Sequence, residues 1–127
     1  LGAARGLIER RMRPLDMQSI DISTFHQCQI LAGTVISAEP FPEARTPAIK
    51  LLIDFGQLGH RKSSAQITRN YLPQNLIGRT VIALVNIPPR KIAGFQSECL
   101  VLGAVDPELG VVLLSSDQPV PPGTNIA

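Results

Sequence analysis

A chain of 127 residues with a net charge of +2 fits one domain with a moderate core, and its near-neutrality excludes the dense cationic surface behind tight, non-specific nucleic-acid binding. Four phenylalanines (Phe25, Phe41, Phe55, Phe95), Tyr71 and no tryptophan leave the core to Ile, Leu and Val, and 11 prolines and 10 glycines punctuate the chain. That composition favours short strands over a helical bundle.

Residues 1–16 carry the whole net charge, through Arg5, Arg10, Arg11 and Arg13 against Glu9 and Asp16. They suit a short amphipathic helix ended by Pro14, with Met12 or Met17 as a native start, and read as a leader or flexible extension to a single domain over residues 17–127. Arg and Glu interrupt the apolar run that a signal peptide needs, and no segment reaches a membrane span, so the expected location is cytoplasmic.

A first strand is expected over residues 27–37, with Gly33 at a bend. The connection EPFPEARTP, residues 39–47, holds three prolines and Arg45 and cannot be helical. Residues 48–55 read as the second strand, 56–60 as a turn and 62–67 as the third strand. Residues 69–77 suit a short helix limited by Pro73 and closed by Gly78. A fourth strand at 80–86 and a fifth at 99–103 enclose the loop of residues 87–98, and a short strand at 111–114 follows the Asp106-Pro107 turn. The tail SSDQPVPPGTNIA reads as extended. Cys28 and Cys99 stand alone in apolar, strand-like settings without CxxC or Cys/His spacing, and are expected as buried thiols.

Five short strands with a small helix between the third and fourth is the element order of an all-β OB-fold barrel, which binds ligands through its strand 2–3 face and its 1–2 and 4–5 loops. Charge converges on the same places. Residues 45–91 hold eight cations, among them Arg45, Lys62, Arg90 and Lys91, against Asp54 alone, while both flanks are acidic. Brought to one face, these cations would attract phosphates or acidic peptide segments. The 4–5 loop within VIALVNIPPRKIAGFQSECLVLG carries Arg90 and Lys91 directly after Pro88 and Pro89, then Gly94 and Ser97. A loop held between rigid strands is where binding chemistry usually sits.

FPEARTPAIKLLIDFG, KSSAQIT, VNIPPRKIAGFQSECLVLG and VVLLSSDQPVPPGTNI, taken in order, resemble signatures of the CsaA family of protein-export chaperones, within the wider tRNA-binding-domain superfamily. The resemblance covers roughly residues 25–126. It implies an OB-fold core in a homodimer, no catalytic activity, no cofactor, and binding of unfolded presecretory proteins or peptides in the cytoplasm. Tethering of tRNA in the superfamily uses Asn-x-x-Pro-x-[Lys/Arg]-[Met/Ile]-x-Gly-x-x-Ser, which Asn86, Pro89, Lys91, Ile92, Gly94 and Ser97 fill. Ser63 and Ser64 stand where the superfamily has a Ser-Gly-rich strand start, and Leu31 stands where many relatives have Arg.

Two functions follow. As a chaperone, the dimer takes extended apolar stretches on Phe41, Ile92 and Phe95 beside a basic rim; the alternative for these three is that they fill the barrel or dimer seam. As an RNA-binding module, Arg45, Lys62, Arg90 and Lys91 hold tRNA phosphates while Asn86 and Ser97 fix loop geometry. Catalysis lacks a constellation: His60 lies near Ser63 and Ser64 without a nucleophile elbow, and His26 and His60 are too isolated for a metal site. Asp54 is expected to end a strand and pair with a cation, and Glu98 to pair with Arg90 or Lys91.

Overall fold

Strict alternation in the second strand decides the barrel. Ile49, Leu51 and Ile53 are almost fully buried, while Lys50, Leu52 and Asp54 between them keep partial contact with solvent. The computed structural model describes residues 17–127; the expected amphipathic helix and leader lie outside the described residues. A five-residue helix, α1 (Ile22–His26), comes first, followed by β1 (Ile30–Pro40), β2 (Ile49–Asp54), β3 (His60–Ala65) and β4 (Thr80–Leu84). Next are β5 (Arg90–Ile92), β6 (Phe95–Ser97), β7 (Leu100–Val101), β8 (Gly103–Asp106) and β9 (Gly110–Leu113).

The main sheet has the order β3-β2-β1-β4-β7 with antiparallel neighbours, a nearly closed five-stranded barrel of the OB type. β1 is the longest strand because it serves two partners: its first half pairs with β4 and its second with β2. A bulge between Val35 and Ser37 bends it, and Gly33 permits the close approach at the bend. Val35, Ile49, Leu51, Ile53, Phe55 and Leu76 form the centre of an aliphatic core.

Several expected elements are revised. The first strand begins at Ile30 rather than residue 27, because α1 and its exit turn occupy the preceding segment; Asp21 makes no side-chain cap and α1 buries no residue, so no amphipathic pattern marks it. The helix between the third and fourth strands contracts to a single 3-10 turn, Pro73–Asn75, with Pro73 in its first positions and Leu76 plugged into the core behind it. The expected strand at residues 111–114 appears as β9 and pairs with β8, a partner unrecognised in the sequence. In the connecting turn, Asp106 Oδ2 accepts the N–H groups of Glu108 and Leu109, and these bonds hold its pKa below the ordinary carboxylate value. The extended tail is fastened to β1: Ala32 N–H donates to Thr124, Gly123 N–H to Ala32 and Ile126 N–H to Ile30.

The thiols diverge. Cys28 is exposed, against expectation, because it follows the surface helix rather than lying in a strand; Cys99 is buried. Desolvation pushes the Cys99 thiol from its ordinary 9.0 up to about 11. The unfolded thiol ionises first as pH rises, so this contribution to stability is full below about pH 9 and is lost by about pH 11. Denaturation midpoints should fall over that window, less so in Cys99→Ala, and a thiol reagent at pH 8 should label Cys28 but spare Cys99 until the protein is unfolded; equal labelling of both would contradict the burial.

Candidate functional site

The segment expected as a plain loop over residues 87–98 is a tight hairpin. Ala93 and Gly94 turn between β5 and β6 with φ of 46° and 82°, the two positive values that a two-residue type I′ turn requires. Glycine meets this requirement freely, whereas alanine is strained by it. Among the described residues no peptide bond is cis, so Ile87-Pro88 and Pro88-Pro89 are both trans.

Side chains lock this hairpin onto β3. Ser97 Oγ accepts the Ser64 N–H at 3.0 Å, Glu98 Oε1 accepts the Lys62 N–H at 2.9 Å, and the Glu98 N–H donates to the Lys62 carbonyl at 2.7 Å. The expected ion pair of Glu98 with Arg90 or Lys91 is therefore replaced by a backbone role for the carboxylate. Ser63 Oγ donates to the Cys99 carbonyl at 2.8 Å, and with only 1% of its surface exposed Ser63 cannot reach a ligand, contrary to expectation. Asn86 Oδ1 accepts the Gln29 N–H and its Nδ2 donates to the Gln27 carbonyl, fixing the start of the hairpin segment to the entry of β1. Asp54 accepts the Gly56 N–H at 2.9 Å, so the expected cation pairing gives way to a turn contact.

Phe41 and Phe95 meet edge to face, with centroids 5.4 Å apart. Phe41 is buried, which removes it as a direct apolar contact, because the hairpin's Phe95 packs over it; Phe95 and Ile92 remain half-buried. Lys50 Nζ lies 5.0 Å from the Phe41 ring and 5.6 Å from Phe95, and Lys62 Nζ lies 5.3 Å from Phe95. Lys50 was missed by sequence reasoning. The alternation in β2 could have found it: with Ile49 and Leu51 turned inward, Lys50 must share the outer face with its partner Ser64.

Two grooves flank the hairpin. One, of about 510 Å³, lies between residues 43–46 of the β1–β2 connection and β5, lined by Arg45, Arg90 and Lys91 with Glu43 opposing them. The other, of about 390 Å³, is more apolar and is lined by Ile67, Ile87, Pro88, Ile92, Val101 and Val111 among others. Ser64, Gln66, Arg90 and Ile92 line both. The two loops that the sequence marked thus share one groove, while Lys62 stands apart beside Phe95. Gly94 is at the exposed hairpin tip. His60 is exposed, and no group of three or more His, Cys, Asp or Glu among the described residues could hold a metal ion.

Residues 30–125 match the family described as "Putative tRNA binding domain". The chain belongs to this tRNA-binding-domain family. Its structure is CsaA-like: it is similar to the chaperone CsaA of Bacillus anthracis, at 49% identity and a TM-score of 0.83 over 87% of this chain and 100% of that one. Similarity to the CsaA chaperone protein of Picrophilus torridus runs at 45% identity and a TM-score of 0.81, covering 86% of this chain and 100% of that one. A methionine–tRNA ligase of Methanocaldococcus jannaschii is 34% identical over 110 residues, 87% of this chain. The tRNA-binding-domain chain spans only 17% of the length of that ligase, so the match concerns the domain and not the whole enzyme. Among its described residues no helix is long and apolar enough to cross a membrane.

Proposed function

We propose that the chain acts as a homodimeric protein-export chaperone in the cytoplasm, binding unfolded preproteins without catalysing a reaction. The observation that carries this reading is the 49% identity with the chaperone CsaA of Bacillus anthracis, over the whole of that protein. The two grooves support it: Ile92 offers apolar contact beside a rim of Arg45, Arg90 and Lys91, and outside the grooves the half-buried Phe95 lies next to Lys62. In this role Ser64, Asn86, Gly94 and Ser97 set the hairpin's position, and Phe41 and Ser63 support it from beneath.

A second reading, an RNA-binding module for tRNA, is favoured by the family description and by Lys50 and Lys62 on the face that adjoins the cationic groove. Binding of tRNA and of an unfolded presecretory protein, measured on one sample across a salt series, separates the two. Chaperone action predicts polypeptide binding that survives high salt. RNA binding predicts affinity falling steeply with salt, and the double variant Arg90→Ala, Lys91→Ala should then lower the log–log slope by about 2. Sedimentation as a monomer at micromolar concentration would remove the homodimer from the proposal.

A further inference from the structure

β3 and β7 are the two ends of the main sheet, and the barrel does not close between them along its whole length. Along the outer edge of β3, Lys62 gives its N–H and C=O to Glu98, and Ser64 gives its N–H to Ser97. Beyond that point the clasp ends. Alternation turns the Ser64 carbonyl to the same outer side, and the Gln66 N–H has no partner among the described residues. Across the apolar groove, the Leu102 N–H donates to Ile82, so alternation also turns the peptide groups of Val101 away from β4 and toward the groove.

We propose that the β3 edge from Ser64 to Gln66 is a strand-addition site for an extended polypeptide whose apolar side chains alternate with acidic ones. The proposal rests on the polypeptide-binding reading above and names how the ligand is held. An acceptor at residue 64 and a donor at residue 66 are the spacing with which a strand engages a neighbour. Successive side chains of an added strand point to opposite faces. On one face they meet the partly exposed Val101 and Val111; on the other they meet Arg45 and Lys91, with Arg90 between the two grooves, and this charge outweighs that of Glu43. An acidic partner fits this asymmetry better than a basic one.

The fold offers a clean way to remove the donor. The Ile67 N–H bonds the Ala65 carbonyl, making Gln66 the centre of a γ-turn, and its φ is not positive. An inverse γ-turn holds φ near that of proline, and the strand residue before it has the extended backbone that proline requires of its predecessor. Gln66→Pro therefore deletes an N–H without breaking an internal bond.

The probe is a fluorescent, end-capped heptapeptide of alternating valine and glutamate, followed by anisotropy, with N-methyl groups placed on either the valines or the glutamates. The expected result is binding by the unmethylated peptide, a loss of about tenfold for one methylated set and little for the other, and a loss of about fivefold in Gln66→Pro. Unchanged affinity in Gln66→Pro with indifference to both methylation sets would overturn strand addition while leaving polypeptide binding intact. Conversion of a dimer to a monomer by Gln66→Pro would also overturn it, by assigning the edge to a second copy of the chain. Failure to bind either this peptide or an unfolded presecretory protein would overturn the polypeptide reading itself.

Discussion

Gly33→Ala is expected to destabilise the protein by about 3 kcal/mol or more, at the upper end of what overpacking a core costs. An added Cβ would lie 2.6 Å from both Ile53 Cγ2 and a ring carbon of Phe55. Neither neighbour is a flexible surface group: Ile53 and Phe55 are 0% and 1% exposed. β1 cannot retreat, because residue 33 pairs with Val81 of β4 and the bulge that steers it toward β2 begins two residues later. A urea midpoint within error of the parent would sink the argument. Combining Gly33→Ala with Phe55→Leu should recover part of the loss, since two side chains competing for one space are not additive.

Ending the chain at Asp117 is the second change with a large expected effect. The tail supplies three backbone hydrogen bonds to β1, through Gly123, Thr124 and Ile126. At about 1 kcal/mol for each bond, the loss is about 3 kcal/mol before the uncovering of Leu31 and Phe55 is added. Removal also leaves residues 30–32 as an open strand edge, and such edges invite pairing with another chain. The shortened protein should therefore unfold at lower urea and sediment as concentration-dependent aggregates. An unchanged midpoint together with unchanged sedimentation would show that the tail is an ornament on a self-sufficient barrel.

These two cases divide what could be read from the chain. Gly33 was legible as a bend because a glycine within an apolar strand has few other uses, and the inward set Ile49, Leu51 and Ile53 follows from a period of two. The tail was legible only as extended; that it takes up the free edge of β1 depends on a contact between residues some ninety positions apart. α1 was invisible because a five-residue helix with no buried face has no periodicity to detect.

The candidate site divides in the same way. Arg45 and the Arg90-Lys91 pair could be named because prolines and glycines mark their segments as connections, and the element order brings two such connections to one side of an OB barrel. The burial of Ser63 and Phe41 was not legible because residue type does not reveal depth: one is spent on the Cys99 carbonyl, and the other lies beneath Phe95, which agrees with the barrel-filling alternative. Glu98 was expected to seek a cation, yet a charge close to unpaired N–H groups is more useful on the backbone, where it satisfies Lys62.

The sequence by itself determined the chain order of the barrel strands, the aliphatic core and the two connections that carry Arg45, Arg90 and Lys91, since periodicity, turn residues and charge act over a few neighbours. Only the tertiary structure decided which side chains are consumed in holding the hairpin, that Lys50 joins Lys62 around Phe95, and that the Ser64 carbonyl and the Gln66 N–H on the β3 edge find no partner among the described residues. Those outcomes depend on which backbone groups find partners across the barrel, and a hydrogen bond between distant segments is fixed by the closure of the whole sheet rather than by either segment alone.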